Sequence, residues 1–244
     1  MFSNKIIFFI LVFTFAESEV CLCQYSENSD KGFSIIPEAV YVSSAGIQLY
    51  AFSNDIYKRG ITEEISGGYG YGITVRKKIF EKNIAFALSV DFNHIVDNEL
   101  TQTFSNDSTI VRARVTEDLT VIPVELTGIF YLPDFSDELK LFLGGGFGIY
   151  FGDRKRTVKN IQSYTVTKKP GFSLVVLSGF EFFFSRSVSA VLEVKFRQAE
   201  YTVNSEFPVS VVSLNGTFYD LEKELNSKIY VDGLKLSLGI SYNF

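Results

Sequence analysis

His94 is the single histidine of this 244-residue chain. A histidine beside a hydroxyl and a carboxylate is a common source of acid–base or nucleophilic chemistry at neutral pH. Ser89, Asp91 and Asn93 offer such groups nearby, but each lies an odd number of residues from His94. In an extended chain that spacing puts them on the opposite face. Val96 also occupies the place where a His-x-Ser pair would need its hydroxyl. An interfacial side chain is therefore expected rather than a catalytic one. A second concentration of chemistry is the run "DRKRTVKNIQSYTVTKK", residues 153–169, in which Arg154, Lys155, Arg156 and Lys159 are followed by Lys168 and Lys169. Clustered guanidinium and ammonium groups suit phosphate oxygens, although a solvated loop can have the same composition. A third set is dispersed: Arg76, Asp91, Glu125, Lys140, Glu181, Glu193, Lys195, Arg197 and Lys235. Its five cations and four anions nearly balance, as members of an internal network would. The pieces "GGYGYG" and "GGGFG" resemble phosphate-cradling loops in composition only, because no helix follows them. No metal-ligand set is visible, so no metal or cofactor is expected.

The elements that must position these groups show a period of two. The chain ends "GLKLSLGISYNF", with Leu234, Leu236, Leu238, Ile240, Tyr242 and Phe244 alternating with small or polar residues. The same alternation runs from Ile65 to Val75, Ile84 to Phe92, Ile122 to Phe130, Leu139 to Phe151, Phe172 to Phe184 and Val188 to Phe196. A weaker stretch near residues 39–52 places Tyr41, Ile47 and Leu49 on one side. Eight strands are thus expected, and an extra hairpin at residues 33–42 or in the last loop would make ten. Short connections (77–82, 132–138, 185–187) alternate with long ones (53–64, 97–109, 153–169, 204–227). A short helix is expected within "YDLEKELN", and "NGT" at residues 215–217 reads as a loop tip.

Charge decides between architectures. The apolar rows hold no Asp, Glu, Lys or Arg, while the nine dispersed charges all fall in the opposite rows. A Lys or Arg facing lipid at mid-membrane costs about 2–4 kcal/mol. Net stability is only on the order of 10 kcal/mol, so such charges would be excluded from a lipid-facing surface. The opposite rows are rich in Gly and Ala, which suits the crowded inside of a narrow barrel. The expectation is an all-β fold, a single antiparallel up-and-down transmembrane β-barrel. The nine charges form its lumen network, and eight strands leave room for side chains or one small ligand.

The N-terminus reads as an export leader, residues 1–23: Lys5, a short apolar run from Ile6 to Ala16, then Cys21 and Cys23 before a cut at Gln24. That run is too short to span a bilayer as a helix. The barrel domain then occupies residues 24–244, and both cysteines leave with the leader. The net charge of −5 excludes the basic footprint of a nucleic-acid binder.

With these features in place, the chain resembles the small eight-stranded outer-membrane barrels of Gram-negative bacteria. The group is the OmpW/OmpX-like one, together with the related barrel domains of Bacteroidetes-type bacteria. The carrying residues are the aromatic-ended "LKLSLGISYNF" and "VIPVELTGIFYLP" followed by "LKLFLGGGFGIYFG". The resemblance implies outer-membrane localisation, a monomer, and lipid and lipopolysaccharide as surroundings. Tyr242 and Phe244 would be read by the barrel-assembly machinery. In such surroundings the clustered charges of Arg154, Lys155, Arg156 and Lys159 are candidates for lipopolysaccharide phosphate, because guanidinium and ammonium groups pair well with phosphate. A non-enzymatic structural or surface-interaction role is expected. The alternatives are a narrow conduit for small hydrophobic solutes and, least favoured, a lipid-modifying enzyme.

Overall fold

The computed structural model describes residues 32–79, 83–106, 109–133, 136 and 138–244. The leader and both cysteines lie outside the described residues. In chain order the elements are β1 (Phe33–Gln48), a short helix α1 (Ile56–Arg59), β2 (Thr62–Ile79), β3 (Ile84–Asp97), β4 (Thr101–Ser105), β5 (Ile110–Tyr131), β6 (Leu139–Val158), β7 (Ile161–Gln162) and β8 (Tyr164–Lys169). There follow β9 (Gly171–Phe183), β10 (Val188–Arg197), β11 (Ala199–Glu206), β12 (Val211–Leu214), β13 (Thr217–Asp220), β14 (Glu224–Val231) and β15 (Lys235–Asn243).

Eight of these pair as antiparallel neighbours in the order β1, β2, β3, β5, β6, β9, β10, β15. β15 then pairs back on β1, from Ser34↔Asn243 to Val42↔Lys235. The ring thus matches the expected strand number. Strand β15 is held between β1 and β10 along its length. The N–H of Phe244 donates to the carbonyl of Phe33, 2.8 Å away, and their rings lie 6.0 Å apart. The alternation can therefore run to the last residue without fraying.

The exterior carries an apolar belt. Its upper edge is Tyr41, Tyr69, Phe92, Phe151, Phe172 and Phe196, and its lower edge includes Phe33, Phe130, Phe182 and Phe244. Between these edges the outward residues are uncharged among the described residues, and some are very open: Leu174 is 78% exposed and Val176 61%. From Phe172 to Phe182 is ten residue steps along β9. At ~3.3 Å per residue and ~40° tilt, that is a band roughly 25 Å tall, the height of a bilayer's hydrocarbon core as barrels span it.

Above the belt the wall continues as a collar. β8, β11 and β14 extend β9, β10 and β15 past short interruptions, with β14 pairing on upper β1, β11 on β14 and β8 on β11. Much of the chain expected as long loop is therefore strand. The helix expected in "YDLEKELN" is not formed: its residues belong to β13, a short turn and the start of β14. Residues 224–226 instead pair with β11, from Glu206↔Glu224 to Asn204↔Asn226, which satisfies backbone groups that a helix of about two turns would leave unpaired. The "NGT" segment is the loop tip it was expected to be. Asn215 and Gly216 take φ of 53° and 84° between β12 and β13, as a two-residue Asn-Gly hairpin requires.

The side-chain assignment of the first two strands needs correction. Tyr41 faces out, but Ile47 and Leu49 are buried; likewise Tyr69 faces out while Ile65 is buried. Both strands change phase near Ser43 and Gly67, without altering the pairing on either side. A Cβ on Gly67 would lie 2.3 Å from the carbonyl oxygen of Val42. Only glycine admits that approach.

The interior is packed in apolar clusters at three levels. A lower one contains Ile36, Ile129, Phe142 and Leu177; one above the middle contains Ile47, Ile95, Leu119, Val121 and Ile229; an upper one contains Phe104, Val158, Phe207, Val212 and Leu225. The β12–β13 hairpin contributes Val212, Leu214 and Tyr219 to the upper cluster and so caps the collar.

Candidate functional site

Polar layers separate the apolar ones. At the lower end, Arg76 donates to the Tyr131 hydroxyl (2.8 Å) and to Glu181 (3.1 Å). In the middle, Lys195 bridges Glu125 (3.0 Å) and Glu193 (3.1 Å), and Lys235 pairs with Asp91. Arg197 stands 3.6 Å from Glu125, with its guanidinium 5.7 Å from the Tyr150 ring centre. The Tyr150 hydroxyl also donates to Glu125, at 2.6 Å. Of the nine charges assigned to the lumen from sequence, eight are buried there. Lys140 is only half-buried, at the lower mouth, 5.5 Å from the Phe183 ring centre.

The collar holds a further ionic layer that the sequence reading missed. Arg154 grips Glu117 with two bonds, Nε at 2.9 Å and Nη2 at 2.7 Å. Arg156 donates to Glu63 at 2.7 Å and to the same Glu117. Burial works against the charge of Arg156, but Glu63 and Glu117 outweigh it and hold the guanidinium above its ordinary range. Glu38 also joins the lumen, within 3.5 Å of Lys235. Its signal was present in the alternation of Glu38, Val40 and Val42, hidden by the phase change that follows.

These facts correct the assignment of Arg154, Lys155, Arg156 and Lys159 as one phosphate-binding cluster. β6 continues through the basic run to Val158, so successive side chains point to opposite faces. Arg154 and Arg156 are buried inside, where no external phosphate reaches them. Lys155 alone of the three faces out. Lys159 sits in a left-handed turn (φ 58°) and donates from Nζ to the carbonyl of Ser213, 2.9 Å away, tying the cap to the wall.

His94 lies outside the barrel, just above the belt, as its row implied. What the sequence did not reveal is its partner. His94 Nε2 lies 2.8 Å from Asp118 Oδ1, on the neighbouring strand. A carboxylate can only accept, so this nitrogen carries the proton. The pair forms one side of an outward groove of about 480 Å³. Phe92, Ile122 and Phe151 line its lower part, and Lys155, Lys168 and Asp153 its upper part. Asp153 accepts from the Thr165 hydroxyl, the Arg154 N–H and Lys168 (2.9 Å). Partial burial opposes ionisation of Asp153, but these donors outweigh it and hold the carboxyl below its usual range. Among the described residues no group of three or more His, Cys, Asp or Glu could hold a metal.

No protein-family model matches the sequence, and no curated protein matches it. Solved structures do resemble the fold. The outer membrane protein OprG from Pseudomonas aeruginosa aligns with a TM-score of 0.56 at 12% identity, covering 87% of this chain and 96% of that one. Neisserial surface protein A aligns at 0.46 and 13%, covering 87% and 97%. The outer membrane protease OmpT from Escherichia coli aligns at 0.48 and 8%, covering 91% and 99%. At such identities the likeness speaks to fold. The chain has the fold of the small bacterial outer-membrane β-barrels, and its exterior belt is the surface such a barrel presents to lipid.

Proposed function

We propose that the chain is a non-enzymatic outer-membrane barrel with a structural and surface-interaction role, its capped collar standing above the lipid. The observation that carries this reading is the filled interior. Ionic and apolar layers alternate from the Arg76–Glu181 pair to the cluster under the β12–β13 hairpin. An eight-stranded wall leaves space only for side chains or one small ligand. Here those side chains meet across the axis, as Arg76 of β2 does with Glu181 of β9 and Lys235 of β15 with Asp91 of β3. A wall this well filled suits load-bearing and display rather than passage.

Reconstitution of the detergent-folded chain into planar bilayers tests the reading. No discrete conductance is expected. Reproducible stepwise openings would refute it and favour a conduit for small solutes.

A further inference from the structure

We propose that a second copy of this chain, upright in the same membrane, docks side by side against the first, the acidic outer face of β11 and β14 on one copy meeting Arg112 and Arg114 of β5 on the other. The contact rests on the bilayer reading above and adds a partner and two surfaces to it.

The first ground is the build of the collar and its charge. Above the Tyr69↔His94 pair β2 and β3 separate, and β8 pairs with β11 but not with β6. The collar is therefore two sheets, one of β2, β1, β14, β11 and β8, the other of β4, β5 and β6. They face each other across Ile47, Ile229 and Leu119, so their outer faces look in opposite directions. On the first, Glu206 and Glu224 stand directly opposite each other on neighbouring strands. Like charges so placed are destabilising. On the second, Arg112 and Arg114 are both exposed on one side of β5. At ~3.3 Å per residue they are roughly 7 Å apart. Neither arginine, nor Glu224, has an ion pair among the described residues, and Glu206 accepts from the Tyr164 hydroxyl (3.2 Å). Of the lysines on the acidic sheet, Lys228 is taken up by Glu200 (3.1 Å), and Lys169 lies lower, opposite Thr202. Each face thus keeps a like-charge pair that its own sheet does not neutralise, and the two pairs are opposite in sign.

The second ground is height. Glu206 is ten residue steps above Phe196, the upper edge of the belt on β10, and Arg112 is ten above Ile122, its edge on β5. At ~3.3 Å per residue and ~40° tilt, both stand roughly 25 Å above the hydrocarbon. Copies held by one bilayer share one orientation and one height, so these groups meet without tilting either barrel. Exposed ion pairs are individually weak, but confinement to a plane supplies encounters that free solution would not. A twofold contact would set acid against acid, so the contact is head to tail. Because the two faces lie on opposite sides of the collar, its repetition gives an open row rather than a closed ring.

The test is energy transfer between donor- and acceptor-labelled chains reconstituted into vesicles of phosphatidylcholine, a lipid with no net charge to bridge the faces. In about 0.1 M salt, where charges are felt over about 10 Å, transfer should exceed the level of randomly placed chains; in about 1 M, where the reach is about 3 Å, it should fall to that level. R112E/R114E makes both faces acidic and E206K/E224K makes both basic, so either variant alone should lose the excess. An equal mixture of the two should regain it, which a general loss of structure would not allow. Wild-type transfer at the random level, transfer indifferent to salt, or a mixture that stays random while both variants migrate as compact species on unheated gels would each overturn the contact. If either reversal does not fold, R112Q/R114Q and E206Q/E224Q decide: each should lower the transfer, and an unchanged signal in either would overturn the contact. A wild-type chain that never forms a compact species in micelles instead removes the bilayer reading itself.

Discussion

The belt and the collar are built from continuous walls, yet their polarity is reversed. In the belt the outside is Phe, Leu, Val and Ile, and the inside holds Arg76, Asp91, Glu125, Lys195 and Lys235. In the collar the outside carries His94, Asp118, Lys155, Lys168, Glu200 and Lys228, while Ile47, Ile65, Leu119, Ile229 and Val231 are packed within. Antiparallel pairing builds both, but only the belt closes on itself, through β15 and β1, whereas the collar run ends at β8. The change follows the surrounding medium. Lipid removes any gain from burying apolar groups inside, and penalises charge outside. Water restores the usual preference for an apolar interior. Even so, the collar buries Glu117 between two arginines, so its interior is not purely apolar.

That comparison can be broken most sharply at Glu117. Replacing it with Ala leaves Arg154 without its bidentate partner and Arg156 with Glu63 and Gln102. Removing one side of a buried ion pair costs about 3–5 kcal/mol. The loss should be confined to the collar. Limited proteolysis should cut the collar strands of E117A while the heat-modified band of the remaining barrel persists. Loss of both together would show that the two regions fold as one unit.

Outward charge gives the next largest contrast. Val176 is 61% exposed in the belt and Val166 50% exposed in the collar. V176K should lose about 2–4 kcal/mol in a urea titration of the lipid-folded chain. V166K should stay within about 0.5 kcal/mol, as surface changes in water generally do. Equal effects at both positions would mean that the boundary is misplaced.

Acid gives the smallest contrast. Partial burial opposes ionisation of Asp97, but the N–H groups of Ser66 and Glu99 outweigh it and hold the carboxyl below its ordinary range. A depressed folded pKa means that the stabilisation is complete above the unfolded value, about 3.9. It is lost as pH falls through the lower folded value. Protease resistance of the collar should therefore decline below about pH 4, and less steeply in D97N. An identical profile in the variant would remove Asp97 from the account.

The belt was legible because one rule governs it: every outward residue meets the same hydrocarbon, so the alternation is uniform from Leu234 to Phe244. The lumen charges were legible by exclusion from that surface. The collar was not. Its outward and inward residues mix charge and hydrocarbon, as Lys155 between Arg154 and Arg156 shows, so composition there reads as loop. The phase change at Ser43 and Gly67 was also hidden, because a glycine marks a close approach without saying which strand makes it.

By itself, then, the amino-acid order determined the strand period, the eight-strand wall and the face that meets lipid, since each depends only on neighbours two residues apart. Tertiary structure alone decided that Glu117 would hold two arginines, that Asp118 would meet His94, and that Lys155 and Lys168 would share one groove. Those residues come from separate strands, and their meeting is set by inter-strand register, which short-range periodicity does not specify.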